Sequence, residues 1–205
     1  MRSKEFRRLV ADLARNAPPV EPRCPHASEC GGCAFQDRDY HAQVAAKQAA
    51  LTQLYSAAGF LGVEAAPGCL AIEDFSVAPS PDPYAYRTRM DYVATKGRFG
   101  LRMRGRFNYI VELTACHLLP EAGFPAAHAV WQAAGALGLP DYNIRTHEGF
   151  LRYVVVRRSP DNQLMLAAVT AGTDNDAAME QLAATALAQP GVVSFHWLIN
   201  ATLTD

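Results

Sequence analysis

Hydrophobic positions recur along this chain with two periods, and each period predicts an element. Phe6, Leu9, Val10 and Leu13 are spaced three and four apart. That spacing predicts an amphipathic helix over 3–16, capped by Ser3 and ended before Pro18 and Pro19. Tyr40, Val44, Leu51, Leu54, Tyr55 and Ala58 make the stripe of a longer helix over 39–58, closed by Gly59. After a proline-rich connector, APSPDPYAY, the period falls to two. Thr88, Met90, Tyr92 and Ala94 alternate with Arg87, Arg89 and Asp91, the pattern of a strand with one apolar face. Lys96-Gly97 and Arg104-Gly105 are turn pairs, so three consecutive antiparallel strands are expected to end near Cys116. Residues 123–138 read as a helix around Trp131, and 151–170 as a hairpin turning at Pro160-Asp161-Asn162. A helix from Asp174 or Asp176 to about Gln189 and an apolar strand over 192–200 complete the pattern.

Composition narrows the class. Half of the 205 residues are hydrophobic and 19% are charged, enough to bury one substantial core or two small ones. The opening MRSKEFRRL has no apolar segment behind it, and no run approaches the roughly 18 apolar residues that span a bilayer. A cytoplasmic protein with no membrane partner is expected. The net charge of −1 argues mildly against nucleic-acid binding, but its distribution changes the picture. Residues 86–112 carry Arg87, Arg89, Lys96, Arg98, Arg102, Arg104 and Arg106 against only Asp91 and Glu112. After Arg158 there is no Lys or Arg at all. One reading is a solvated strand face. The other is a phosphate-contacting surface, with Arg87, Arg89, Arg98, Arg102, Arg104 and Arg106 as RNA contacts and Tyr84, Tyr86, Phe99, Phe107 and Tyr109 as stacking faces.

The densest chemistry lies in CPHASECGGC, where Cys24, Cys30 and Cys33 share ten residues. Gly31 and Gly32 let the backbone fold back so that sulfurs converge, which reads as a metal loop. The spacing itself leaves iron–sulfur and zinc level. Zinc sites usually pair two close cysteine couples, and only one couple is present. The ferredoxin spacing C-x2-C-x2-C is absent as well. Cys116 and Cys69 are candidates for a fourth ligand, and His26 and His117 are candidates for zinc.

CPHASECGGCAFQ, followed by Tyr40, Gln43 and Lys47, resembles the cluster loop of the RumA/RlmD-type RNA (uracil-5-)-methyltransferases. YRTRMDYVATKGRFGLRMRGRFNYIVELTACHLLPE and GFLRYVVVRRSPDNQLMLAAVT resemble later segments of the same family, so the likeness runs over about residues 22–200. It implies a [4Fe–4S] cluster on Cys24, Cys30, Cys33 and Cys116, leaving Cys69 as a buried hydrophobe. It further implies S-adenosylmethionine as methyl donor, structured RNA as partner, and 23S ribosomal RNA as substrate. In that family a cysteine attacks uracil C6, the methyl group is added at C5, and a base takes the C5 proton.

With the resemblance included, the fold expected is α+β. A cysteine-rich cluster loop and helix would pack on an antiparallel β-meander and hairpins with flanking helices, without a complete Rossmann-like SAM domain. The expected divisions are 1–21, an N-terminal helix and linker; 22–78, the cluster loop and helix; and 79–205, a central α+β RNA-recognition region. No glycine-rich nucleotide fingerprint occurs: Gly97, Gly100 and Gly105 are spaced for hairpins, and Gly135 and Gly138 end a helix. The nucleophile, base and donor pocket are therefore expected outside these residues, and the stretch alone is expected to be inactive. A closed four-thiolate cluster would serve to staple the loop to the meander, with redox sensing as the second use. The competing function is a stand-alone zinc- or cluster-binding module that holds RNA or protein without catalysis.

Overall fold

The computed structural model describes residues 2–61 and 75–203, so Cys69 lies outside the described residues. These residues fall into two compact units, one of 1–23 with 33–83 and one of 24–32 with 84–205. Among the described residues no helix is long and apolar enough to cross a membrane.

The first unit is helical. Its α1 (Ser3–Arg15) packs on α2 (Tyr40–Ala57), and the buried residues of the pair are alanines: Ala14, Ala46 and Ala50. Small side chains there let the two backbones approach, while the larger stripe of α2 stays half-exposed. Ser3 is the first helical residue rather than the cap. The turn is closed instead by Glu5, whose carboxylate accepts from the Arg2 backbone N–H at 2.9 Å. Asp39 caps α2 by accepting from the Ala42 N–H at 2.9 Å, and Gly59 follows it with φ 73°. Gln43 donates to the Phe35 and Arg38 carbonyls at 2.8 and 2.9 Å and so shapes the loop before its own helix.

The second unit is built on one six-stranded sheet. Its strands are β1 (Arg89–Thr95), β2 (Arg98–Met103), β3 (Arg106–Glu112), β4 (Leu151–Arg158), β5 (Leu164–Thr170) and β6 (Val192–Ile199), with α3 (Gly123–Ala136) and α4 (Asp176–Leu187) between them. Lys96 and Gly97 both have positive φ, 51° and 70°, as the tight turn between right-twisted strands requires. Met90, Tyr92 and Ala94 form the buried face of β1, opposite the partly or fully exposed Arg89 and Asp91.

The arrangement of these strands corrects the expected architecture. The sheet runs β3-β2-β1-β4-β5-β6 and is mixed: β1 joins the meander to the second hairpin, and β6 lies parallel to β5. A parallel neighbour needs a crossover, and α4 supplies it, giving the β-α-β unit from which Rossmann-like sheets are assembled. The chain is therefore organised by a mixed sheet with helices rather than by a cysteine loop on separate antiparallel hairpins. The core follows from this layering. Phe99 stacks on Trp131 with centroids 5.4 Å apart, Tyr92 meets Phe124 edge-on at 5.3 Å, and Val154, Val156, Leu166 and Leu182 are fully buried. Sheet and α3 thus share one aromatic layer directly beneath β1 and β2.

Candidate nucleic-acid interface

The site begins with how the cysteine loop meets the meander inside the second unit. Cys30 bridges to Met103, the Gly31 N–H donates to the Arg102 carbonyl at 2.9 Å, and the Arg104 N–H donates to the Glu29 carbonyl at 2.8 Å. A Cβ on Gly31 would stand 2.9 Å from that same carbonyl, so only glycine allows this approach. Arg104 also donates from its guanidinium to the Ala27 carbonyl at 3.1 Å. At the other end of the loop, the Thr114 N–H donates to His26 Nε2 at 2.9 Å. The same nitrogen lies 3.0 Å from the Thr114 hydroxyl, so the His26 ring is anchored on Thr114. His117 contributes its carbonyl to the Ala85 N–H and its ring edge to Tyr84.

Around this seam lies an open basin of about 1190 Å3. Of the six arginines named as RNA contacts, Arg87, Arg89, Arg102, Arg104 and Arg106 line it, together with Gly31, Gly32 and Phe107. Arg98 stands apart, with its guanidinium carbon 4.8 Å from the centre of the Tyr109 ring. Among the described residues only Asp91 brings a carboxylate to the lining, and it is engaged by Arg89 at 2.8 Å. The basin thus presents a net positive surface with an aromatic edge, a combination suited to phosphates and bases.

The thiols are placed less simply. Cys24, Cys30 and Cys116 belong to the second unit and Cys33 to the first, where Gln36 Nε2 donates to its sulfur at 3.1 Å. Cys24, Cys30, Cys33 and Cys116 are all outside disulfides. Burial pushes the Cys24 thiol up, and Cys116 nearby adds to the effect. Tyr92 is fully buried, and burial followed by Cys116 and Cys30 drives its phenol far above the usual range. Its hydroxyl finds no hydrogen-bond partner of regular geometry, although the Cys116 sulfur is close enough to interact. Among the described residues no group of three or more His, Cys, Asp or Glu side chains is assembled to hold a metal ion.

Over most of its length the chain is similar to known proteins. No protein-family model matches the chain. An uncharacterized RNA methyltransferase of Caldanaerobacter subterraneus is 32% identical over 173 residues, covering 79% of this chain and 35% of that protein. A tRNA (uracil(54)-C(5))-methyltransferase of Pyrococcus abyssi is 32% identical over 146 residues, covering 71% of this chain and 32% of that protein. The relatives of this chain are RNA methyltransferases. It spans about a third of the length of these curated relatives. The crystal structure of the Pyrococcus abyssi tRNA (uracil-54, C5)-methyltransferase with S-adenosyl-L-homocysteine superposes with a TM-score of 0.65 at 23% identity. That match covers 88% of this chain and 39% of the crystallised one, and shows that the mixed sheet with its helices is a fold found in a methyltransferase.

Two residues that matter here carried weak signals in the sequence. Tyr92 was one of four alternating apolar positions and gave no sign of facing thiols. Arg152 interrupts the apolar run of β4, and a charged residue at such a position is the mark of a buried, partnered side chain. It is 1% exposed, donates to the Asn200 and Thr202 carbonyls at 2.9 and 2.7 Å, and lies over the Tyr142 ring, so its work is to hold the segment after β6.

Proposed function

We propose that this chain is the RNA-recognising part of an S-adenosylmethionine-dependent RNA (uracil-5-)-methyltransferase. The observation that carries the reading is the arginine-lined basin at the seam between the cysteine loop and the meander, in a chain whose relatives are RNA methyltransferases. The arginines hold phosphate oxygens, and the aromatic edge receives bases. S-adenosylmethionine supplies the methyl group. The substrate is a uridine in structured RNA, and the named Pyrococcus relative makes transfer RNA the first substrate to test, with 23S ribosomal RNA second.

Cys24, Cys30, Cys33 and Cys116 are the residues that would hold a [4Fe–4S] cluster. Two observations support that donor set: its chemistry is thiol throughout, and a buried Tyr92 hydroxyl without a regular partner stands beside Cys116 and Cys30. The group's contribution would be a structural brace, tying the loop of residues 24–33 to the end of the meander at Cys116.

The test is methyl transfer from labelled S-adenosylmethionine by the full-length protein to transfer RNA and ribosomal RNA, with iron, sulfide and zinc measured on protein purified without oxygen. C5-methyluridine in either RNA supports the reading, and its absence from both refutes it. About four irons and four sulfides per chain support the cluster. One zinc without sulfide refutes it and favours the binding module without catalysis.

A further inference from the structure

The edge strand β3 departs from regular pairing where its aromatics lie. Arg102 pairs with Ile110, but its neighbour Met103 pairs with Arg106, so Phe107, Asn108 and Tyr109 have no residue opposite them on β2. A bulge of this kind re-aims side chains, and it does so here. Phe107 is 64% exposed and Tyr109 42%, although both are large apolar rings in a strand. Each ring is backed by an arginine of β2. The Arg102 guanidinium lies 3.6 Å from the centre of the Phe107 ring, and that of Arg98 lies 4.8 Å from the Tyr109 ring. Arg102 also donates to the Phe107 carbonyl at 2.9 Å, so one side chain both fixes the bulge backbone and supports the ring above it.

Three features together select the ligand. Two exposed rings two residues apart suit two flat partners, an arginine behind each ring fixes its orientation before binding, and residues 96–111 hold Lys96, Arg98, Arg102, Arg104 and Arg106 with no acid. Bases are flat, and the strand that carries them is anionic. A duplex keeps its bases stacked inside and offers this surface only phosphates.

We propose that Phe107 and Tyr109 form a stacking platform for two unpaired bases of single-stranded RNA, clamped from behind by Arg102 and Arg98. The inference rests on the RNA-binding reading above and adds the form of RNA that the bulge receives. Arg104 and Arg106, beside the platform in the basin, would take the phosphates of the same strand.

The experiment measures the affinity of the full chain for a uridine oligonucleotide of about 12 nucleotides and for an RNA duplex of the same length, in the wild type, Phe107→Ala and Phe107→Trp. Phe107→Ala is expected to weaken single-strand binding by roughly 5- to 100-fold, the worth of one stacked base, and to leave the duplex unchanged. Phe107→Trp is expected to restore the affinity, with its added fluorescence quenched when the single strand is bound. Equal single-strand affinity in Phe107→Ala and wild type would overturn the platform, as would equal losses on single strand and duplex. A wild type that binds neither RNA would overturn the RNA-binding reading and the platform with it.

Discussion

The two edges of the sheet in the second unit both expose large apolar residues, and they do so in opposite chemical settings. At β3 the exposed side chains are Phe107 and Tyr109, each against an arginine. At β6 they are Val193, Leu198 and Ile199, in a stretch with no Lys or Arg after Arg158. Exposed apolar area is common on proteins and says little by itself. What separates the edges is the pairing of a π face with a cation, which would suit an anionic strand of flat bases at β3 and, among the described residues, is not found at β6. The bulge supplies a second difference, because β6 keeps continuous parallel pairing with β5 from Met165 to Thr170 while β3 breaks its ladder at the aromatics.

The strongest way to break the β3 edge is from beneath. Phe99→Ala removes a fully buried ring stacked on Trp131 and should cost about 3–5 kcal/mol of stability, read from the urea midpoint. Gly100→Ala comes next. A Cβ there would run into the Val111 carbonyl and the Leu113 side chain, forcing β2 and β3 apart at a cost of about 1–3 kcal/mol. RNA binding should fall further than stability alone explains, which a comparison of binding and unfolding at one temperature would reveal.

Smaller changes sharpen the contrast without disturbing the fold. Arg106→Gln, at an exposed position, should weaken single strand and duplex alike and reduce the slope of log affinity against log salt by about 1. Leu198→Lys on the β6 edge should change stability by no more than about 0.5 kcal/mol. It should also confer no single-strand binding of its own, and a gain comparable to the loss in Phe107→Ala would show that charge alone makes the site. The smallest effect concerns His128, beside Phe99 and Phe124. Burial lowers its imidazole below the usual range, with Glu112 opposing. A depressed folded value means that the unfolded chain takes the proton first. This group's contribution is therefore present above the ordinary imidazole value and lost as pH falls through the folded one. His128→Gln should flatten that part of the curve of unfolding midpoint against pH.

Local structure was legible because its causes are local. Helix stripes, the Lys96-Gly97 turn and the alternation of β1 each follow from residues within one or two turns of chain. The cysteine loop drew notice in the sequence, since three thiols and two glycines share ten residues. Its docking onto the meander was not legible, because the Gly31 to Arg102 hydrogen bond joins residues some 70 positions apart through backbone groups that every residue carries, and the His26 ring finds its partner in Thr114, some 90 positions away. His26 shows the consequence: nothing beside it in the sequence points to Thr114, on which its ring rests in the fold.

The sequence by itself determined which segments are helix and strand, where the hairpins turn, and that cations crowd the middle of the chain and are absent from its end. Period, turn chemistry and charge are properties of neighbouring residues, so they survive without a fold. Tertiary structure alone decided that β1 joins the two hairpins, that β6 runs parallel to β5, and that the pairing slips at Met103 to turn Phe107 and Tyr109 outward. Those outcomes depend on which apolar faces find one another across long stretches of chain, and backbone hydrogen bonds are blind to sequence until side-chain packing has selected the register.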